Sequence, residues 1–225
     1  MYEDLTIKEL FSLDETLAGT YLSNFKYPWE ALAGIGDLIL EIGKGLSLDE
    51  YDKRGDDIWI HKTAKVFDSA YIAGPCIIGP DTEVRHCAFI RGKALVGASC
   101  VIGNSCELKN VIIFNKAQVP HYNYVGDSIL GFKSHMGAGS ITSNLKSNKT
   151  NVTIKYSDEK IETGLRKIGA FLGDHVEVGC GSVLNPGTII GKNTCVYPLS
   201  SVRGFVNKNS IYKKAGEITD FVQNV

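Results

Sequence analysis

Every sixth residue from Val66 is apolar: Val66, Ile72, Ile78, Val84, Ile90, Val96, Ile102, Leu108 and Phe114. Four places after each of the first seven stands a small residue: Ala70, Cys76, Thr82, Ala88, Ala94, Cys100 and Cys106. The register returns at Tyr124, Leu130 and Met136, and again at Leu172, Val178, Leu184, Ile190, Val196 and Val202. An amphipathic helix repeats about every 3.6 residues and a half-buried strand about every 2, so neither produces this rhythm. A coil of three short strands does. Each six-residue side turns one branched and one small residue inward, and stacked coils bury a continuous core. The predicted architecture is all-β, a parallel β-helix built of residues 59–205.

The flanks read differently. Thr6 with Glu9 and Ser12 with Glu15 have capping-box spacing, and Pro28-Trp29 introduces the apolar stretch ALAGIGDLILEIGKGL. Residues 1–58 are therefore expected to form a short helical cap over the open end of the prism, either blocking end-to-end strand pairing or serving regulation. Residues 143–167 lose the six-residue rhythm and predict a long irregular loop, a kind of segment that tends to be functional. Residues 206–225 read as a C-terminal tail.

Composition narrows the partners. At 225 residues, 44% hydrophobic and 22% charged, the chain can bury a core of its own. A net charge of -1 excludes the basic stripe that nucleic acid or an anionic membrane would require. No apolar run approaches the roughly 20 residues needed to cross a bilayer. The start MYEDLTIKEL lacks the regions of a signal peptide, so a cytoplasmic location is expected. The six cysteines form no CxxC pair and read as reduced thiols in small core positions.

Two features carry candidate chemistry. Arg91 and Lys109 follow Ile90 and Leu108 directly and stand one coil apart, which stacks them on one outer face at about 4.8 Å. Two cations so close either bridge an anion, such as a phosphate or carboxylate, or are merely solvated. His121 lies in VPHYNYVGD, where the register slips. A break in a local rule marks a candidate site, although a lone histidine also packs or faces solvent.

In sequence order, Arg91, Lys109 in NSCELKN, His121 and Tyr124 in HYNYVGD, and GAGSITSN at 137–144 resemble a known family. They are similar to the hexapeptide-repeat acyltransferases, and among these to the acetyltransferase domain of the bifunctional glucosamine-1-phosphate acetyltransferase/N-acetylglucosamine-1-phosphate uridyltransferases. The stretches HYNYVGDSILG, NLK and GLRKIGAFLGD look closer still to archaeal sugar-phosphate enzymes. The resemblance implies a left-handed prism, assembled as a homotrimer with acetyl-CoA in the groove between neighbouring prisms. It implies His121 as general base, with Arg91, Lys109, Tyr124 and Asn144 holding an amino-sugar phosphate. His135 stands where the family has a second asparagine, and Lys149 is a further candidate for the sugar phosphate. Residues 143–167 would reach towards a neighbouring subunit's site.

For the coenzyme, the resemblance points to the Gly137-Ala138-Gly139 turn, with Ala138 at the pantetheine arm and Asp174 near the thioester. Arg203, Lys213 and Lys214 are candidates for its phosphates, or form a solvated basic tail. Backbone N–H groups of the glycine-rich turn could serve a tetrahedral oxyanion. No metal is required for this transfer. The glycine-rich nucleotide-binding start of the bifunctional enzymes is missing, so uridyl transfer is not expected. Two rivals remain: a non-catalytic sugar-phosphate-sensing prism, and a γ-class carbonic anhydrase-like zinc enzyme using His86, His121 and His135. The spacing of those histidines, 35 then 14, lacks that family's closely spaced second pair.

Overall fold

In the computed structural model, which describes residues 2–214 and 216–220, the hexads wind into a left-handed parallel β-helix with three walls. Strands of the first wall include Ile58–His61, Cys76–Ile78, Ala94–Val96, Ala170–Leu172 and Thr188–Ile190. The second wall includes Lys65–Val66, Glu83–Val84, Val101–Asn104, Gln118–His121, His135–Met136, Glu177–Val178 and Ser210–Lys214. The third includes Tyr71–Ile72, Phe89–Ile90, Ile141–Thr142, Val183–Leu184 and Ser201–Val202. Two longer strands, Glu107–Ile113 and Tyr124–Leu130, begin on the third wall and end on the first.

The branched and small positions point inward as the period requires. Ile78, Val84, Ile90, Val96, Ile102 and Leu108 form one buried cluster with Cys76, Ala88, Ala94, Cys100 and Cys106. Corners are made by residues with positive φ at Asp81, Cys87, Lys93, Ser99 and Ser105, then Asn110, Lys116, Tyr122, Asp127 and Lys133. Their spacing drops from six to five at Asn110 and again at Asp127. Both shortened corners lie where the third wall meets the first. The inner position after Leu108 is therefore Ile113, not Phe114, and the position before Leu130 is Val125, not Tyr124. Phe114 and Tyr124 are turned outward, which corrects the expected register and frees Tyr124 for another role.

The N-terminal helices do not close the end of the prism. They run along the first wall, whose outer positions Ile77, Leu95, Ile112, Ile129, Phe171 and Ile189 join Leu5, Leu10, Leu32, Ile35 and Ile39 in a second apolar cluster. The physical reason is area: a wall of branched residues needs cover, and the helix Ile35–Gly45 supplies an apolar stripe. Thr6 caps Ile7–Leu10 as its spacing predicts, accepting from Glu9 N at 3.4 Å. Ser12 instead gives its hydroxyl to Asp174 at 2.7 Å. Two of the terminal edges are covered by an antiparallel strand: Tyr51–Arg54 pairs with Ile58–His61 at the start of the first wall, and Glu217–Asp220 with Ser210–Lys214 at the end of the second.

Residues 143–167 are not irregular throughout. Thr153–Tyr156 pairs with Glu159–Glu162 in a hairpin. It folds back on its own prism, with Val152 and Ile154 buried and Tyr156 stacked on Phe205 at 5.4 Å and edge-on to Tyr2 at 5.3 Å. Three cysteines fill the core as expected, but Cys87 and Cys180 are exposed and Cys195 is half-buried; all six are free. No helix among the described residues is long and apolar enough to cross a membrane.

Candidate active site

A polar cluster gathers at the two shortened corners. Arg91 directly follows Phe89–Ile90 and Lys109 lies one coil on within Glu107–Ile113, with Arg91 N donating to Leu108 O at 2.9 Å. They are not bare. Arg91 Nη1 meets Glu107 Oε1 at 2.7 Å, and Lys109 Nζ meets Asp127 at 3.1 Å. Each stacked cation thus has its own carboxylate, which removes the repulsion that the stacking alone implied.

Asp127 is the centre of the cluster. Only 6% of its side chain is exposed, and it also accepts from Asn110 Nδ2 at 3.0 Å and Asn144 Nδ2 at 2.6 Å. A buried carboxylate needs such partners, because an unpaired charge away from water is costly. Asn144 donates further to the Tyr124 hydroxyl at 3.0 Å. Burial, with Asp127 and Glu107 nearby, raises the Tyr124 phenol above its ordinary value, so it remains protonated. Its oxygen accepts from Asn144, leaving its hydrogen for a ligand.

Gly126 makes this pairing possible. A Cβ there would lie 2.4 Å from the Tyr124 hydroxyl oxygen and 3.0 Å from Asn144 Nδ2. Beside the cluster is a cavity of about 340 Å³ lined by Leu32, Pro75, Arg91, Lys93, Lys109 and Asp127 among others. Arg91 and Lys109 each have donors beyond those used in their ion pairs, and these suit an anionic oxygen in that space.

His121 lies at the opposite corner, where the second wall turns into the third. Its side chain is exposed, and its carbonyl accepts from Gly139 N at 2.9 Å, so the Gly137-Ala138-Gly139 turn is the next coil at that corner. Gly137 N is also used, by Val178 O at 2.7 Å. Of the three expected oxyanion donors, only the Ala138 N–H has no protein acceptor among the described residues.

Not every candidate joins the cluster. His135 sits on the second wall, its Nδ1 2.8 Å from Glu177. Lys149 is exposed in the segment before the hairpin. Lys213 and Lys214 pair with Glu217 at 3.9 and 3.0 Å at the end of the second wall, while Arg203 follows the third wall and donates to Asn185 at 3.2 Å. One chain does not bring these three cations together. Asp174 is not presented to any coenzyme groove. It is buried beneath the N-terminal segment, held by Lys192 at 2.9 Å, Ser12 at 2.7 Å and Phe132 N at 2.9 Å. The exposed residue one coil beyond Ala138 is Cys180, whose neighbour Gly181 donates to Ala138 O at 2.8 Å.

Sequence reasoning missed Glu107, Asn110, Gly126 and Asp127. A signal existed for two of them. Glu107 stands two places before Lys109 and shares its face by strand alternation. Gly126 is the pairing partner of Lys109 in the next coil.

Fold and site together define a hexapeptide-repeat β-helix protein with a polar, cation-bearing cluster on one edge. The model of the GMPPB C-terminal domain matches residues 72–192, and the chain belongs to that family. It is 29% identical over 194 residues to a bifunctional sugar-1-phosphate nucleotidylyltransferase/acetyltransferase of Sulfurisphaera tokodaii, covering 77% of this chain and 48% of that protein. It is 31% identical over 213 residues to the bifunctional protein GlmU of Methanococcus aeolicus, covering 86% and 48%. The chain therefore spans about half the length of the curated relatives it matches. A hexapeptide transferase family protein from Anaplasma phagocytophilum superposes with a TM-score of 0.42 at 13% identity, covering 74% of this chain and 80% of that one.

Proposed function

We propose that the chain is an acetyl-CoA-dependent N-acetyltransferase acting on an amino-sugar phosphate, working in the cytoplasm as a homotrimer. The observation that carries this reading is the Arg91, Lys109, Tyr124, Asn144 cluster beside an open cavity, organised by Asp127. The Sulfurisphaera tokodaii relative, a bifunctional sugar-1-phosphate nucleotidylyltransferase/acetyltransferase, supports the same reading.

Arg91 and Lys109 bind the phosphate of the acceptor through their spare donors, and Tyr124 donates to a sugar oxygen. The free amine then attacks the thioester carbonyl of acetyl-CoA. As the C–N bond forms, nitrogen loses a proton to the imidazole of His121, and the carbonyl oxygen becomes an oxyanion that the Ala138 N–H stabilises. Collapse breaks the C–S bond, and the thiolate of coenzyme A takes the proton back from the imidazolium. Holding both substrates in place supplies most of the remaining acceleration. The trimer is supported by the division of candidates between walls: His135, Lys213 and Lys214 lie on the second, the cluster on the third. A neighbouring copy would bring the two together.

The test is CoA release with a panel of amino-sugar 1-phosphates. Turnover is expected for the wild type, and His121→Ala should lower kcat by about 10² to 10⁴ while leaving the melting temperature unchanged. Tight sugar-phosphate binding without CoA release, equal in the wild type and in His121→Ala, would instead identify a sensor.

A further inference from the structure

The edge that carries the Asp127 cluster continues past Asn144 into a second, larger cavity of about 450 Å³. It is lined by Lys146, Lys155, Lys160 and Arg203, with Ser147 and Asn185 among its polar neighbours. Lys155 and Lys160 come from the two strands of the hairpin and stand directly opposite each other. Like charges at paired positions destabilise a hairpin. The register that imposes this is fixed from the other face, where Ile154 and Ile161 sit against the apolar layer.

The hairpin is seated tightly, so the cavity has a fixed wall. A Cβ on Gly204 would lie 2.5 Å from Lys155 O, and one on Gly187 2.9 Å from Val152 Cγ1. Arg203 is oriented by Asn185 at 3.2 Å and Lys146 by the Asn151 carbonyl at 3.1 Å. Among the described residues none of the four cations is ion-paired, and Glu162, on the same hairpin face, pairs with none of them. This is the reverse of Arg91 and Lys109, each of which has a carboxylate. Four unpaired cations around one space are relieved by a ligand with several anionic oxygens, and by a single carboxylate only in part.

We propose that this cavity binds the pyrophosphate group of a nucleotide-like ligand, as a site separate from the Arg91 and Lys109 cluster. The proposal does not depend on acetyl transfer. Two ligands share this chemistry, coenzyme A and a nucleoside diphosphate carrying a sugar, and the cavity is large enough for more than the pyrophosphate alone.

The probe is inorganic pyrophosphate, titrated calorimetrically into the full chain at low and at physiological salt. Binding is expected, weakening as salt rises. Lys155→Glu should weaken it by about tenfold or more. The same substitution should leave the melting temperature unchanged or raise it, because it turns a like-charge cross-strand pair into an opposite-charge one. Lost affinity with a retained fold separates a binding role from a structural one. Lys109→Ala should leave pyrophosphate affinity as it was. Parallel titrations with coenzyme A and with uridine diphosphate assign the source, the true ligand being the one whose affinity falls in Lys155→Glu. The proposal is overturned by no pyrophosphate binding to the wild type at low salt, by equal affinity in wild type, Lys155→Glu and Arg203→Ala, or by a loss in Lys109→Ala matching that in Lys155→Glu.

Discussion

The first and third walls of the prism share one backbone repeat and one inner core, yet they have opposite fates. On the first, the outer positions are Ile77, Leu95, Ile112, Ile129 and Phe171, and a layer of helices covers them. On the third, the corresponding outward residues include Arg91, Glu107, Lys109 and Tyr124, and the wall stays open beside a cavity. Inner residues decide that a β-helix forms. Outer residues decide whether a wall becomes a second core or a site. The two fates meet at a single edge, where Asn110 and Asp127 each shorten the corner by one residue and hydrogen-bond each other at 3.0 Å.

The sharpest way to break this contrast is to give one wall the other's chemistry. Ile112→Glu places on the covered wall the residue type that the third wall carries at Glu107. Ile112 is fully buried beneath the N-terminal layer, so the charge would have neither water nor a partner. A loss of at least about 4 kcal/mol is expected, enough to unfold a marginal domain or strip the helices from the wall. Equilibrium denaturation measures it. A cost below about 1 kcal/mol would show that the helical layer is not a core.

A smaller effect is expected where charge is already native. Asp127→Asn keeps the shape but removes the negative charge that Lys109 faces, and an amide cannot accept from Lys109, Asn110 and Asn144 alike. Because 28% of the Lys109 side chain is exposed and water can reach it, the expected destabilisation is about 1 to 3 kcal/mol. Weaker sugar-phosphate binding should accompany it, since Asn144 and Tyr124 lose their anchor. Unchanged stability and unchanged binding together would remove Asp127 from the centre of the site.

These two substitutions also show what the sequence made legible. The inner rhythm was readable because a strict period of six has one simple structural meaning. The shortened corners were not, because a one-residue loss at Asn110 looks like noise until the strands are paired. Phe114 and Tyr124 were misplaced for that reason. The destination of the N-terminal helices was hidden as well: an amphipathic stripe announces that a face is buried but not against what. The apolar outer residues Ile77, Leu95 and Ile129 held that information, since a solvated wall would carry polar residues there. Arg91, Lys109, Tyr124 and Asn144 were legible as a set through resemblance. Glu107 and Asp127 were not, because nothing in a single sequence says which carboxylate folds back onto which cation.

The interior that both walls share gives the last test, one of pH, whose effect is the smallest when taken per pH unit. Burial pushes the Cys100 thiol from 9.0 to about 12, and raises Cys76 and Cys106 in the same direction. Above pH 9 the unfolded chain releases the Cys100 proton while the folded chain keeps it, so the folded state binds more protons. Stability from this group is therefore complete below about pH 9 and is lost as pH climbs towards 12. The expected slope is on the order of 1 kcal/mol per pH unit for Cys100. Cys100→Ala should flatten the alkaline slope of a urea-denaturation series by that amount, even if it costs some packing at every pH. The same interior should be closed to alkylating reagents: Cys87 and Cys180, exposed at corners, should react in the folded protein, and Cys76, Cys100 and Cys106 only on unfolding. Rapid labelling of Cys100 with the fold intact, or an alkaline slope identical in Cys100→Ala, would mean that the small inward slot is open to water. The two walls would then not share a sealed core, and the division of labour between them would need another basis.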